Sequence, residues 1–387
     1  MSHRALARFS QTYLIGIAIG LFAIVPGFSA ESIAQTSPAS GVQPAQQESG
    51  DPTLTHRPPP KPKSLLIPEG KIKLDVMVND SAGKPVPGLQ PWDFKILDNN
   101  QPRKVLSFRA FSDAEVKPDP PVEVILVIDL VNLPFPQVAV TRQEIERFLK
   151  ENDGHLKQPV TLLLLSDAGM RVQPRPSVDG NALVSVVSQI QGNVRTVDSA
   201  MGGEGLLERF QLCARQMGAI AENEARKPGR KLLIWVGPGW PMLNRGELGY
   251  YSDKDQRRYF DSIVELSTRL REARTVVYSV APSTGADTSL RYQNYLKGVK
   301  SPRDSDPGDL ALKVLATQTG GRIFGPNNDL ANQIEHCIAD ANNFYRISFD
   351  PPATDQADEY HDLKVTVDKP GVTVRTNTGY YNEPAGH

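Results

Sequence analysis

The run Val122-Glu123-Val124-Ile125-Leu126-Val127-Ile128-Asp129 constrains this chain more than any other stretch. It is apolar, rich in β-branched residues and does not alternate, which predicts a parallel strand covered on both faces. Such a strand needs helices on either side of its sheet. In an open α/β sheet, ligands gather at the carboxyl ends of the strands, and Asp129 stands at that end. An acidic residue there starts a divalent-cation site when hydroxyls follow two and four positions later. Here those positions hold Val131 and Leu133. The competing role for Asp129 is to cap the following turn and helix through backbone amides, as Asp commonly does.

The stretch after Asp129 alternates strand and helix for some 220 residues. Helical periodicity is expected near Val138–Glu151, at Ala182–Ile190, Gly205–Glu224 and Phe260–Ala273, at Leu310–Thr317, and in a last helix, Leu330–Asn342, carrying Cys337. Between them, Val160–Leu165, Met170–Gln173, Lys231–Val236, Thr275–Val280 and Arg322-Ile323-Phe324 read as strands. The alternation predicts a doubly wound, Rossmann-like sheet with right-handed crossovers. This α/β domain is bounded at 119–342. Before it, Ile72–Asn79, Asp93–Leu97 and Val105–Phe108 read as an antiparallel meander with one wet face, too small to stand alone. After it, Asn343–Phe349, His361–Val367 and Val372–Tyr381 return to strand. Residues 69–115 and 343–382 are therefore expected to form one small antiparallel β-sandwich, with the α/β domain inserted in it.

The N-terminus carries an export signal: Arg4 and Arg8, an apolar core from Tyr13 to Val25, then small residues ending at Ala30 or Ala34. The core is shorter than the ~20 residues that span a bilayer comfortably, so a removed leader (1–34 or 1–30) is expected, with no membrane insertion afterwards. Localisation is then periplasmic or secreted. Residues 35–68 are rich in Pro, Ser and Gln and close on the stiff tract Arg57-Pro58-Pro59-Pro60-Lys61-Pro62, a disordered spacer. With 43 Lys+Arg against 44 Asp+Glu, no net charge drives nucleic-acid binding, and none is expected. Cys213 and Cys337 fall in helices expected on opposite faces of the sheet, too far apart for a disulfide.

With these elements in order, the chain resembles the von Willebrand factor A domain, and more closely the bacterial VWFA-related proteins typical of acidobacteria. The resemblance covers about residues 70–382. It is carried by Val122–Phe135, by Leu315-Ala316-Thr317-Gln318-Thr319-Gly320-Gly321-Arg322-Ile323-Phe324, by the closing Gly371-Val372-Thr373-Val374-Arg375 and Gly379-Tyr380-Tyr381, and by Asp93-Phe94. It implies a sheet that binds proteins, often through a metal ion completed by the partner's carboxylate. The family's metal site takes Asp-x-Ser-x-Ser, a Thr from a later loop and an Asp after the fourth strand. Here Asp129 matches the first position, Thr196 stands for the Thr, Asn132 offers an oxygen, and Gly237-Pro238-Gly239 replaces the late Asp. A hard cation wants about six oxygen ligands, so this degenerate site is expected to hold magnesium or calcium weakly or not at all.

No Gly-x-Ser-x-Gly elbow, phosphate loop or His-x-x-x-His pair is present, and no catalytic activity is expected. Gly202-Gly203-Glu204-Gly205 reads as a flexible lead-in to a helix. The chain is expected to be an adhesion-like protein-binding module. Its rim would comprise Asp129, Asp167, Thr196, Asp198 and Trp240, with Trp240 exposed beside Asp129 and Tyr250, Tyr251 and Tyr259 following in a polar insert. The alternative is a structural part of an envelope or extracellular assembly, making its contacts through sandwich edge strands.

Overall fold

The computed structural model describes residues 70–113, 116–190, 202–246, 251–282 and 290–384. The leader, the spacer, Thr196, Asp198 and Tyr250 lie outside these. The described chain is a mixed α/β structure with three sheets. In chain order its strands are β1 (Ile72–Asn79), β2 (Phe94–Asp98), β3 (Gln101–Arg103), β4 (Ser107–Phe111) and β5 (Glu123–Asp129). Helix α1 (Phe135–Leu149) leads to β6 (His155–Ser166), β7 (Gly169–Val172), β8 (Ser177–Asp179) and α2 (Gly180–Val187). Then come α3 (Gly202–Ala225), β9 (Lys231–Val236), α4 (Asp253–Glu272), β10 (Thr275–Val280), α5 (Leu312–Gln318) and α6 (Leu330–Ile338). The chain closes with β11 (Phe344–Phe349), β12 (Glu359–Val367), β13 (Thr373–Arg375) and β14 (Gly379–Asn382).

The central sheet runs β10-β9-β5-β6-β7, with β8 also paired to β6. β10, β9, β5 and β6 are parallel to one another, while β7 and β8 return antiparallel along β6. Alternate residues of each strand feed different cores. Val124, Leu126 and Ile128 of β5 join Val138 and Ile145 of α1 and Ile334 of α6 on one face. Ile125 and Val127 join Phe210 of α3, Phe260 of α4 and Leu315 of α5 on the other. This two-sided cover is the physical reason the β5 sequence lacks alternation. Cys337 belongs to the first face and Cys213 to the second; both are buried and free. The expected strand at Arg322–Phe324 shrinks to one parallel bridge between Ser279 and Ile323.

The flanking segments do not form a meander. β1 pairs with β11 and β13, not with β2, in a sheet ordered β13-β1-β11-β4. A second sheet runs β14-β12-β2-β3, and Leu74, Val76, Phe94, Ile96, Ile347, Phe349, Leu363 and Tyr380 share one core between the two. The single strand expected over Val372–Tyr381 splits into β13 and β14, one in each sheet. The crossing is fixed by Thr378, whose N–H donates to Gln318 O, and by Gly320, packed too tightly on Thr376 to carry a Cβ. The wet face predicted for β1 is also absent, because it lies against the α/β layer. Asp75 on that face accepts three hydrogen bonds from Arg274 at 2.7, 2.8 and 3.1 Å, with Arg230 and Arg346 each 3.5 Å away.

Cationic side chains also close the helix ends at this junction, where the helix dipole is negative. Arg230 donates to the carbonyls of Asp340 and Ala341 just past α6 and lies over the Phe344 ring. The buried Lys231 ammonium donates to Glu224 O and Lys227 O at the end of α3 and to Ala273 O after α4. These contacts hold the central sheet by its amino end. No helix among the described residues is long and apolar enough to cross a membrane.

Candidate functional site

At the carboxyl end of β5 the backbone turns sharply: Leu130 N–H donates to Leu165 O and Leu133 N–H to Asp129 O. Asp129 organises this turn. Its Oδ1 accepts the backbone N–H of Val131 at 3.1 Å and of Asn132 at 3.0 Å. The Asn132 side-chain amide donates to both carboxylate oxygens, at 3.2 and 2.9 Å, and to Cys213 Sγ at 3.3 Å. From the next strand, Trp235 Nε1 donates to Asp129 Oδ2 at 3.0 Å. The carboxyl is fully buried, and that burial raises its pKa while the N–H donors oppose the rise. Burial and the nearby Asp129 charge likewise push the Cys213 thiol up, so it is an inert packing group and not a nucleophile.

These residues do not fit a divalent cation. Two oxygens accepting five hydrogen bonds have no lone pair directed at an open position. Val131 and Leu133 are buried, one in the core on each face of the sheet. Gly237 stands where a further acidic ligand is expected, and a Cβ there would lie 2.8 Å from Asp129 Cβ, so that position admits no side chain. Asn132, expected to offer an oxygen, turns its NH₂ to Asp129, and its Oδ1 is buried without a partner among the described residues. Among those residues no group of three or more His, Cys, Asp and Glu is arranged to hold a metal ion. Asp129 and Asn132 thus form a turn-capping pair, one half of the competing role read from the sequence; the helix cap expected with it is absent, because α1 begins at Phe135 with Pro134 as its N-cap and no side-chain cap.

The expected rim changes accordingly. Asp167 lies half-buried in the turn between β6 and β7, at the same end of the sheet. Trp240 is buried and not exposed, because its indole packs edge-on against Trp235 and its Nε1 donates to Leu310 O at 3.2 Å. Tyr251 and Tyr259 stack on each other, and Tyr251 OH reaches Ser305, so this pair packs locally. The exposed apolar side chains at this end are others: Phe135 at 66% exposure, Val140 at 36% and Leu206 at 37%. Pro136 and Ala139 are exposed beside them on α1. Helical spacing places 135 with 139 and 136 with 140 on the face opposite Val138 and Ile145, an apolar face turned to solvent. The sequence signal was Pro134-Phe135-Pro136: Pro is favoured in the first helical turn, so α1 begins three residues before Val138.

No family model matches the chain, and no curated protein matches it. Among solved structures, a von Willebrand factor type A protein from Catenulispora acidiphila is 12% identical, with 81% of this chain and 74% of that one covered at a TM-score of 0.31. The human COPII-coat protein Sec24c is 10% identical over 71% of this chain and 45% of its own, at a TM-score of 0.32. The pilus adhesin SpaC from Lactobacillus rhamnosus GG is 11% identical over 75% of this chain and 42% of its own, at 0.31. The chain thus spans less than half of the last two. At such TM-scores these likenesses carry no weight for function.

Proposed function

We propose that this chain is an exported, non-catalytic protein-binding module that holds its partner, without a metal ion, through the apolar rim at the carboxyl ends of its parallel strands. One contrast carries the reading. Asp129 is sealed by five N–H···O contacts, while Phe135, six residues on, leaves 66% of its surface in solvent. Aromatic side chains that bury fully at an interface act as its anchors. Export is supported by the basic and apolar segments before Val25 and the small residues after it.

A structural role through sandwich edges is less well supported. The edge strands β3, β4, β13 and β14 have only 3, 5, 3 and 4 residues, and β3 contains Pro102. Short, proline-bearing edges are poor templates for strand addition. On the central sheet, Pro174 and Pro176 interrupt the edge between β7 and β8 in the same way.

Burying an exposed Phe is worth about 1.5–3 kcal/mol, so Phe135→Ala should weaken partner capture roughly tenfold or more. The full chain, immobilised in EDTA, is used to capture its ligand from the extracellular fraction of its source, beside Phe135→Ala and Val140→Ser. A ligand retained in EDTA by the wild type and lost by the variants supports the reading. Capture that needs added magnesium or calcium, or that survives both variants, overturns it. N-terminal sequencing of the exported chain should begin after Ala30 or Ala34.

A further inference from the structure

Away from this rim, a groove of about 1290 Å³ separates the segment 290–310 from the turn and strand around β12. Asp304, Asp306 and Asp309 line one wall, and Asp358, Glu359 and Asp362 the other. Four basic groups stand among these six carboxyls: Arg245, Arg257, Lys297 and Lys300. Arg245 is paired to Asp306, and Arg257 to Asp358 at 4.0 Å and to Asp261 outside the groove; six carboxyls against four basic groups still leave the acidic groups in excess. Two aromatic rings are fixed in the walls. Tyr295 lies flat on Gly308 and Tyr360 on Gly298, each so close that a Cβ on the glycine would enter the ring.

Asp309 is the unusual member of the set. It is 4% exposed, and one of its oxygens accepts Asp306 N–H at 2.8 Å. Among the described residues its other oxygen has no hydrogen-bond partner and no ion pair reaches the carboxyl. Asp304 and Asp306 face it with like charge, Arg245 with opposite charge, and the Tyr381 phenol lies in its field. Burial, chiefly, pushes its pKa up to about 7. Part of the population therefore holds a proton near neutrality.

We propose that this groove binds a lysine- or arginine-bearing segment of a partner protein, with one cationic side chain pairing with Asp309 beside the Tyr295 ring. The acidic excess attracts the segment, the Tyr295 ring favours a cation, and the buried carboxyl supplies its counter-charge. At pH 6 the exchange is balanced: the protonated Asp309 gives its proton to solvent as the ammonium or guanidinium arrives. This surface is separate from the Phe135 rim and does not depend on it.

The test uses the full chain and a short lysine–glycine peptide, with glutamine replacing lysine in the control. Calorimetry at pH 6 is run in two buffers of different ionisation enthalpy. Binding of the lysine peptide alone, with proton release and an affinity about tenfold lower in Asp309→Asn, is the expected result. Asn at 309 keeps an acceptor for Asp306 N–H, so the variant retains that cap. Asp362→Asn, an exposed change, should weaken binding by a smaller factor, and Phe135→Ala should leave it unchanged. Equal affinity in Asp309→Asn, absence of proton release, equal binding of the glutamine control, or no binding at all overturns the proposal. So does calcium chloride alone occupying the groove.

Discussion

Trp235→Phe removes the side-chain hydrogen bond that ties the Asp129 carboxylate to β9. Both partners are fully buried and 3.0 Å apart, so no water compensates for the loss. A hydrogen bond to a charged acceptor is worth about 1.5–3 kcal/mol, and the smaller ring adds roughly another 1 kcal/mol of lost packing. Asp129→Asn keeps an oxygen for the Val131 and Asn132 N–H groups but turns an NH₂ toward the indole N–H. Taken together in a double-mutant cycle, the two changes should show a coupling of about 2 kcal/mol, since the conflict with the indole vanishes once the indole is gone, while the conflict with the Asn132 amide is common to both backgrounds and cancels. Urea unfolding followed by far-ultraviolet circular dichroism avoids the lost tryptophan signal. The same loss shifts Tm by roughly 4 °C in a chain of this size. EDTA and millimolar magnesium or calcium should change none of these values, because the donors already fill the carboxylate. A coupling below about 0.5 kcal/mol, or wild-type stability that rises with either cation, would refute the sealed-turn reasoning.

Two further outcomes follow from the buried charges. Asp309 has a folded-state pKa raised from 3.8 to about 7, so its contribution is fully present below its unfolded value and lost as pH rises through about 7. Between pH 5 and 8 the wild type should therefore lose about 2–3 kcal/mol relative to Asp309→Asn, and parallel pH–stability curves for the two would contradict this. Asp75→Ala leaves Arg230, Arg274 and Arg346 facing one another without their shared carboxylate, which should cost about 3–5 kcal/mol in urea unfolding; a cost under 1 kcal/mol would show that the cluster does not join the layers.

Much of the fold was legible in the residues because local period reflects burial. β9 and β10 match their expected bounds of Lys231–Val236 and Thr275–Val280, and the unbroken apolar run of β5 sits in the centre of the sheet. Local pattern misled where tertiary contacts decide exposure. β1 alternates like a half-wet strand, yet its polar face carries Asp75, which the arginines of the other layer bury. β3 has no local signature, since Pro102 breaks strand pattern, although Pro is tolerated on an edge such as this one. Trp240 reads as a loop aromatic, and only the position of Trp235 and of Leu310 O makes it a core residue.

For the site, sequence alone determined that positions 131, 133 and 237 carry no side-chain oxygen, since ligand chemistry belongs to residue type. It also placed Asp129 at the end of a buried strand. Tertiary structure decided what fills the hydrogen-bonding capacity of the Asp129 carboxylate. The Asn132 amide is local to the turn, but the Trp235 indole arrives from a strand over a hundred residues away, and no spacing rule foretells its hydrogen bond. Structure likewise decided which apolar residues face solvent, leaving Phe135 exposed while Trp240 is buried. Hydrophobicity is carried by each residue, whereas exposure depends on what the rest of the chain packs against it.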